Sequence, residues 1–131
     1  MARVLLDTHA LVWWVEASEK LSRRARAILE DAGTSVYVSA VCAWELAIKA
    51  HIGKFKSRVL VNGFSRQIEE EGFLELPIVI KHAVRAGSLG GFHKDPFDRM
   101  LVAQAQIENL PILSSDKVLD EYDVRRVCRV W

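Results

Sequence analysis

The sequence predicts an α/β chain, a three-layer α/β/α sandwich with a central, mainly parallel sheet, and three observations predict it. Short apolar runs alternate with segments of helical period along the chain, which is the pattern of βα units. Strand candidates such as "VLL" and "PIL" are apolar without interruption, as strands covered on both faces are. The strand-then-helix order also repeats, and right-handed crossovers make strands connected in this way parallel. With 131 residues the chain has the size of one domain, so residues 1–131 are expected to form a single unit.

"RVLLD" (Arg3 to Asp7) reads as a first strand that stops at an acid, and "THALVWWVEA" continues as a helix with Thr8 as its cap. "LSRRARAILEDAG" follows as a second helix, with Ser22 as N-cap, Gly33 as stop and Ala25, Ile28 and Leu29 turned inward. Val36, Tyr37 and Val38 form the next strand, and Ser39 caps a helix running to about Gly53. The segment from Arg58 to Gly72 is expected to be helical despite Gly63, "FLELPI" is a brief strand closed by Pro77, and "VIKHAVRAGSL" is another helix. "GGFHKD" is the clearest flexible loop. A helix from Pro96 to about Asn109 leads into the buried strand of "LPILSSDK", and "DVRRVCRVW" alternates Val124, Val127 and Val130 as a last strand. No repeat, low-complexity stretch or linker interrupts this order.

Composition narrows the function classes. No apolar run approaches the roughly 18 to 20 residues of a membrane span. The first twenty residues are apolar enough to resemble a secretory leader, but Asp7, His9 and Glu16 interrupt them and no small-residue cleavage site follows. The two cysteines, Cys42 and Cys128, lie in apolar segments and form no C-x-x-C pair. A disulfide scaffold or zinc ribbon is therefore not expected, and a reducing, cytoplasmic home fits. Eighteen basic against seventeen acidic side chains give a net charge of +1, which excludes a globally basic nucleic-acid binder.

The chemistry is carried by acids. In "SAVCAWELAIKAH", Glu45 has Val41, Cys42 and Ile48 as helix-face neighbours, so it lies on or beside the apolar stripe. A carboxylate there must be paired with a base or bound to a cation. In "HKDPFDRMLVAQA", Asp95 before Pro96 reads as an N-cap. Asp98 is either an acid that favours the helix dipole or a functional group on the side of Leu101, Val102 and Ala105. Asp7 ends one strand and Asp116 closely follows another, which sets both on the carboxyl edge of a parallel sheet, where ligands bind. Each has a plain alternative, Asp7 as a turn acid and Asp116 as the cap of "SDKVLDEY", with Ser114 and Ser115 as turn residues.

Together, carboxylates gathered at one edge raise one another's pKa unless a counter-ion joins them. Hard divalent cations with oxygen ligands, Mg²⁺ or Mn²⁺, suit that set, and zinc does not, because no cysteine or histidine constellation accompanies it. Such an ion lowers the pKa of a bound water and neutralises a phosphodiester under attack, which is nuclease chemistry.

"LLDTHALVWW", "SAVCAWELAIK", "HKDPFDRMLVAQA" and "ILSSD", in this order and over nearly the whole length, resemble the PIN-domain ribonucleases, and most closely the VapC-type toxins of type II toxin–antitoxin systems. The resemblance implies a PIN-like α/β/α fold and a metal-dependent endoribonuclease whose acidic site falls on Asp7, Glu45, Asp98 and Asp116, with Asp95 as an acid that often accompanies it. It also implies a homodimer neutralised by a cognate antitoxin that inserts a segment near the site. One departure stands out: the fourth acid of the family commonly follows a threonine, where this chain has Ser114 and Ser115. A hydroxyl is retained, so only a modest effect on positioning is expected, and Thr8 joins the two serines as an accessory candidate.

Two basic clusters invite phosphate contact: Arg23, Arg24 and Arg26, and the run Lys49, His51, Lys54, Lys56 and Arg58. A solvated helix face explains either as well. His93, Lys94 and Arg99 flank the proposed site and are candidates for touching RNA along with Lys49 and Lys54, while loop solubility accounts equally for His93 and Lys94. His9 has a hydrogen bond within the fold as its alternative to chemistry, and Trp13, Trp14 and Trp44 are expected in the core or at a subunit interface. The competing reading without catalysis is a signalling receiver, also α/β, with Asp7, Asp116 and Lys117 at strand ends. It requires a phosphoacceptor aspartate at the end of a central strand, where "FLELPI" offers proline and isoleucine. A PIN fold kept only for binding is the other alternative. Loss of one acid would mark it, and none is missing.

Overall fold

The sheet explains where the acids meet. In the computed structural model, which describes residues 3–91, 95–124 and 126–127, five strands pair in the order β3-β2-β1-β4-β5, and every pairing is parallel. They are β1 (Arg3–Leu6), β2 (Ser35–Ser39), β3 (Leu74–Leu76), β4 (Ile112–Leu113) and β5 (Arg126–Val127). The central strand β1 carries Val4, Leu5 and Leu6, all fully buried, as are Ile112 and Leu113 of β4. Side chains pointing to alternate faces can all be buried only if both faces are covered. That is the three-layer arrangement the apolar runs predict. From β1 the chain moves outward through β2 to β3, then returns to the other side of β1 for β4. The order reverses between β1 and β4, and a crevice opens outside the carboxyl ends of two such strands. A flavodoxin-like receiver runs 2-1-3-4-5 instead, so this topology removes that alternative.

The helices are α1 (Thr8–Val15), α2 (Arg23–Glu30), α3 (Ala40–His51), α4 (Arg58–Val61), α5 (Phe64–Glu70), α6 (Ile80–Ser88) and α7 (Pro96–Glu108), followed by a 3₁₀ turn at Lys117–Glu121. Ser22 and Ser39 cap α2 and α3 as their positions predict. Two expectations are corrected. The cap of α1 is Asp7, whose Oδ1 accepts from the Ala10 N–H at 2.8 Å, so Thr8 is the first helical residue and its hydroxyl is released for another partner. The stretch from Arg58 to Gly72 is two helices because Gly63 takes φ 83°, a left-handed value that ends one helix and re-aims the next.

Asp95 and Pro96 start α7 as predicted, and Asn109 ends it in the left-handed conformation with φ 55°. Of the expected last strand, Arg126 and Val127 pair with β4, while Cys128 and Val130 lie outside the described residues. Trp13 and Trp14 pack half-buried against the core, and the Trp14 indole donates to Glu71 Oε2 at 2.8 Å. No helix among the described residues is long and apolar enough to cross a membrane.

Candidate active site

Four acids reach one edge of the sheet by different routes. Asp7 follows β1 directly. Asp116 stands just beyond β4, where Oδ1 accepts from the Val118 N–H at 3.0 Å and starts the 3₁₀ turn. Glu45 projects from the second turn of α3, and Asp98 from the first turn of α7.

Asp7 is 7% exposed. Burial is the main reason its carboxyl is pushed up to about 6, since a charge deprived of water favours its neutral form. The Ser114 hydroxyl, the Ala10 N–H and the charge on His9 each pull it back down, and the neighbouring charge of Asp98 pushes it up further. Ser114, fully buried, donates its hydroxyl to Asp7 Oδ2. Ser114 Oγ in turn accepts from the Asp116 N–H at 3.0 Å, so one serine ties the end of β1 to the loop that carries Asp116.

Glu45 is buried as well. Thr8 donates to its Oε1 at 2.7 Å, and Lys49 Nζ lies 2.7 Å from Oε2. The base that the apolar setting of Glu45 demands is thus on its own helix, one turn on. The i,i+4 spacing of Glu45 and Lys49 was the available signal. Thr8 links the acids in sequence too, being the residue after Asp7. Cys42 Sγ lies 3.3 Å from Thr8 Oγ1. Burial first, with smaller contributions from the charges of Asp7 and Glu45, pushes this thiol up to about 12, so it stays protonated and is no thiolate ligand or nucleophile.

An aromatic pair sets the remaining spacing. Trp44, beside Glu45, meets Phe97, beside Asp98, edge to face with ring centroids 5.0 Å apart. Deeper in, the Ser39 hydroxyl donates to Gln104 Oε1, which ties the start of α3 to the middle of α7. Two helices, each bearing one acid, are fixed to one another at two levels.

The carboxylates surround the edge without closing on one point: among the described residues no three acidic, histidine or cysteine side chains are disposed to hold a metal ion. Asp7 and Glu45 turn their oxygens to hydroxyls, a backbone amide and Lys49, and Asp116 turns Oδ1 to a backbone amide.

Asp95 behaves as a cap, with Oδ1 accepting from the N–H of Phe97 at 2.9 Å and of Asp98 at 3.4 Å. Ser115 is half-buried. Arg99, expected to face RNA, donates instead to the carbonyls of Ala86 at 3.2 Å and of Leu89, which fastens α7 to the end of α6. His93 and Lys94 lie outside the described residues. A cleft of about 280 Å³ is lined by Thr8 and Lys49, the two partners of Glu45, with His9, Lys54 and apolar Val12, Leu46 and Phe55. A larger cavity, about 700 Å³, is lined by Asn109, Leu110 and Pro111 among others. Those residues enter β4, so it lies at the opposite edge from the acids.

The model of the PIN domain matches residues 4–125. The chain belongs to the PIN domain family. Along the full length of both proteins this PIN domain is 29% identical, over 132 residues, to Ribonuclease VapC22 of Mycobacterium tuberculosis. It is similar in fold to a structure of VapBC2 from Rickettsia felis bound to a DNA fragment from their promoter, with a TM-score of 0.67, 14% identity, and 95% of this chain and 96% of that one covered. A DNA-bound VapBC from Salmonella typhimurium matches at a TM-score of 0.65 and 18% identity, over 96% and 97% of the two chains.

Proposed function

We propose that this PIN domain is a divalent-cation-dependent endoribonuclease, the toxin of a toxin–antitoxin pair, working in the cytoplasm as a homodimer restrained by a cognate antitoxin. The observation that carries the reading is Asp7: a carboxyl group buried at the switch point of a parallel sheet, held there by Ser114 and the Ala10 amide, and facing the charge of a second acid, Asp98. The bond to Ala10 caps α1 and is structural; what a cap alone does not call for is the neighbouring charge of Asp98, which a shared cation would offset. The name of the Mycobacterium tuberculosis relative supports the ribonuclease class, and the toxin–antitoxin complex from Klebsiella pneumoniae, alike in fold at a TM-score of 0.59, supports the partner.

The ion is assigned to Asp7, Glu45, Asp98 and Asp116, whose carboxylate oxygens are the hard donors that Mg²⁺ or Mn²⁺ takes, and which would have to turn toward one point to share it. When bound, such an ion supplies the Lewis acidity that activates water and neutralises charge on a phosphodiester. The chain's own residues do the rest. Ser114 holds Asp7 and the Asp116 backbone in register, and Thr8 orients Glu45. Lys49 and Lys54 give the adjoining cleft, which His9 also lines, a basic wall that would position an RNA backbone by its phosphates.

The test is cleavage of a panel of structured RNAs by purified protein with Mg²⁺, Mn²⁺ or chelator, beside Asp7→Asn. Cleavage that needs the cation and disappears in the variant is expected. Cleavage that persists in chelator, or in Asp7→Asn, overturns the reading.

A further inference from the structure

Glu45 already holds a cation. Lys49 Nζ stands 2.7 Å from Oε2 while Oε1 receives the Thr8 hydroxyl at 2.7 Å, so both oxygens of this buried carboxylate are engaged. The pair is unevenly exposed, with 8% of the Glu45 side chain and 38% of the Lys49 side chain open to solvent. The ammonium therefore reaches in from the solvent boundary to neutralise an acid that is almost wholly buried. A divalent ion taken up by Glu45 must compete with that ammonium, because two cations facing one carboxylate in a poorly solvated setting repel. Lys49 lines the cleft beside Lys54 and His9 even while it is paired, so an ammonium freed from Glu45 is already at the cleft wall.

We propose that Lys49 is an exchangeable counter-ion. It neutralises Glu45 in the cation-free protein, and on arrival of the divalent ion it is released into the cleft to meet a phosphate group of the RNA chain. The inference rests on the nuclease reading of the acids and adds an order to it: cation first, substrate second. Charge is balanced throughout, since Glu45 exchanges one counter-ion for another and the ammonium passes from a carboxylate to a phosphate. Lys49 is in this sense a positioning residue, and it distinguishes itself from Lys54, which lines the same cleft and takes no part in the exchange.

The experiment is calorimetric titration of the whole chain and its Lys49→Met and Lys54→Met variants, first with Mg²⁺ or Mn²⁺ alone, then with uridine monophosphate in the absence and presence of saturating Mg²⁺. Lys49→Met should bind the cation about threefold to tenfold tighter than the wild type, while Lys54→Met stays within about twofold, as expected when one ion pair is removed and the other cation merely contributes to the field. Lys49→Met should bind the nucleotide as the wild type does without Mg²⁺ and several-fold more weakly with it. Lys54→Met should bind it more weakly in both conditions. Lys49→Arg should return both properties toward the wild type. If Lys49→Met melts too low to titrate, Lys49→Gln, which still hydrogen-bonds the carboxylate, takes its place. Equal cation affinity in Lys49→Met and the wild type, equal tightening in Lys54→Met, or a nucleotide defect indifferent to Mg²⁺ each overturns the exchange. A wild type that binds no divalent ion overturns the nuclease reading as well, which separates the two failures.

Discussion

Ser114 donates its hydroxyl to Asp7 Oδ2 and accepts the Asp116 N–H at 3.0 Å, so a residue at the end of β4 fixes two candidate ligands at once. Removing the hydroxyl takes the serine donor from the buried Asp7 Oδ2 while Oδ1 keeps the Ala10 amide, at a stability cost of about 1 to 2 kcal/mol. Ser114 lowers the Asp7 pKa, so in Ser114→Ala that carboxyl should titrate above its present value. Ser115→Ala, half-buried beside it, should stay within about 0.5 kcal/mol of the wild type. Thermal melts of the two variants and carbon NMR of Asp7 check this. Equal effects from both serines would show that Ser114 is not the tie described.

Asp7 is maintained at the expense of stability. Its folded pKa of about 6 lies above the ordinary 3.8, so the native state binds this proton more tightly than the unfolded chain does. The favourable contribution is complete below pH 3.8 and is lost as pH rises through about 6. At neutral pH the charged, desolvated carboxylate therefore costs on the order of 3 kcal/mol. Asp7→Asn should melt several degrees above the wild type at neutral pH, and the gain should shrink toward pH 4.5, while RNA cleavage is lost. A variant that is inactive because it is unfolded would melt lower instead.

The same shift gives the activity an acid limb. On the proposed function a protonated Asp7 cannot serve the cation, so proton and ion would compete for it. At limiting Mg²⁺, kcat/KM should fall as pH drops through about 6. Once the ion exceeds its dissociation constant, the midpoint should move down by about one pH unit for each tenfold increase. An acid limb that ignores the cation concentration would separate Asp7 from the ion.

The fold was legible in the sequence because its signals are local. Unbroken apolar runs announce doubly covered strands, and Ser22, Ser39, Asp95 and Pro96 announce helix starts; all of these stand where expected. Two local signals competed and were misread. Asp7 and Thr8 are both good caps, and the acid won because its extended backbone lets Oδ1 reach the Ala10 amide. Gly63, tolerable in a helix by propensity alone, breaks the segment by taking positive φ. The site was legible only as a list of acids. The bond from Ser114 to Asp7 spans 107 residues, and the contact of Trp44 with Phe97 depends on how α3 packs on α7; neither leaves a periodic trace in the chain.

The acids Asp95 and Asp98 share a helix start and divide its work. Asp95 turns Oδ1 back to the amides of Phe97 and Asp98, and the charge of Asp98 reaches across to raise the pKa of Asp7. Asp95→Ala removes a cap and should cost about 1 kcal/mol, with cleavage reduced only as far as α7 frays. Asp98→Asn retains an acid-sized side chain and the cap that precedes it, so stability should be little changed. It should also remove the repulsion on Asp7, whose titration then moves toward the ordinary carboxylate range, and it should abolish cleavage. NMR titration of Asp7 in both variants, beside melting curves and RNA cleavage, separates the roles. An Asp7 midpoint that moves in Asp95→Ala and stays fixed in Asp98→Asn would exchange them and place the cation-binding group at the cap.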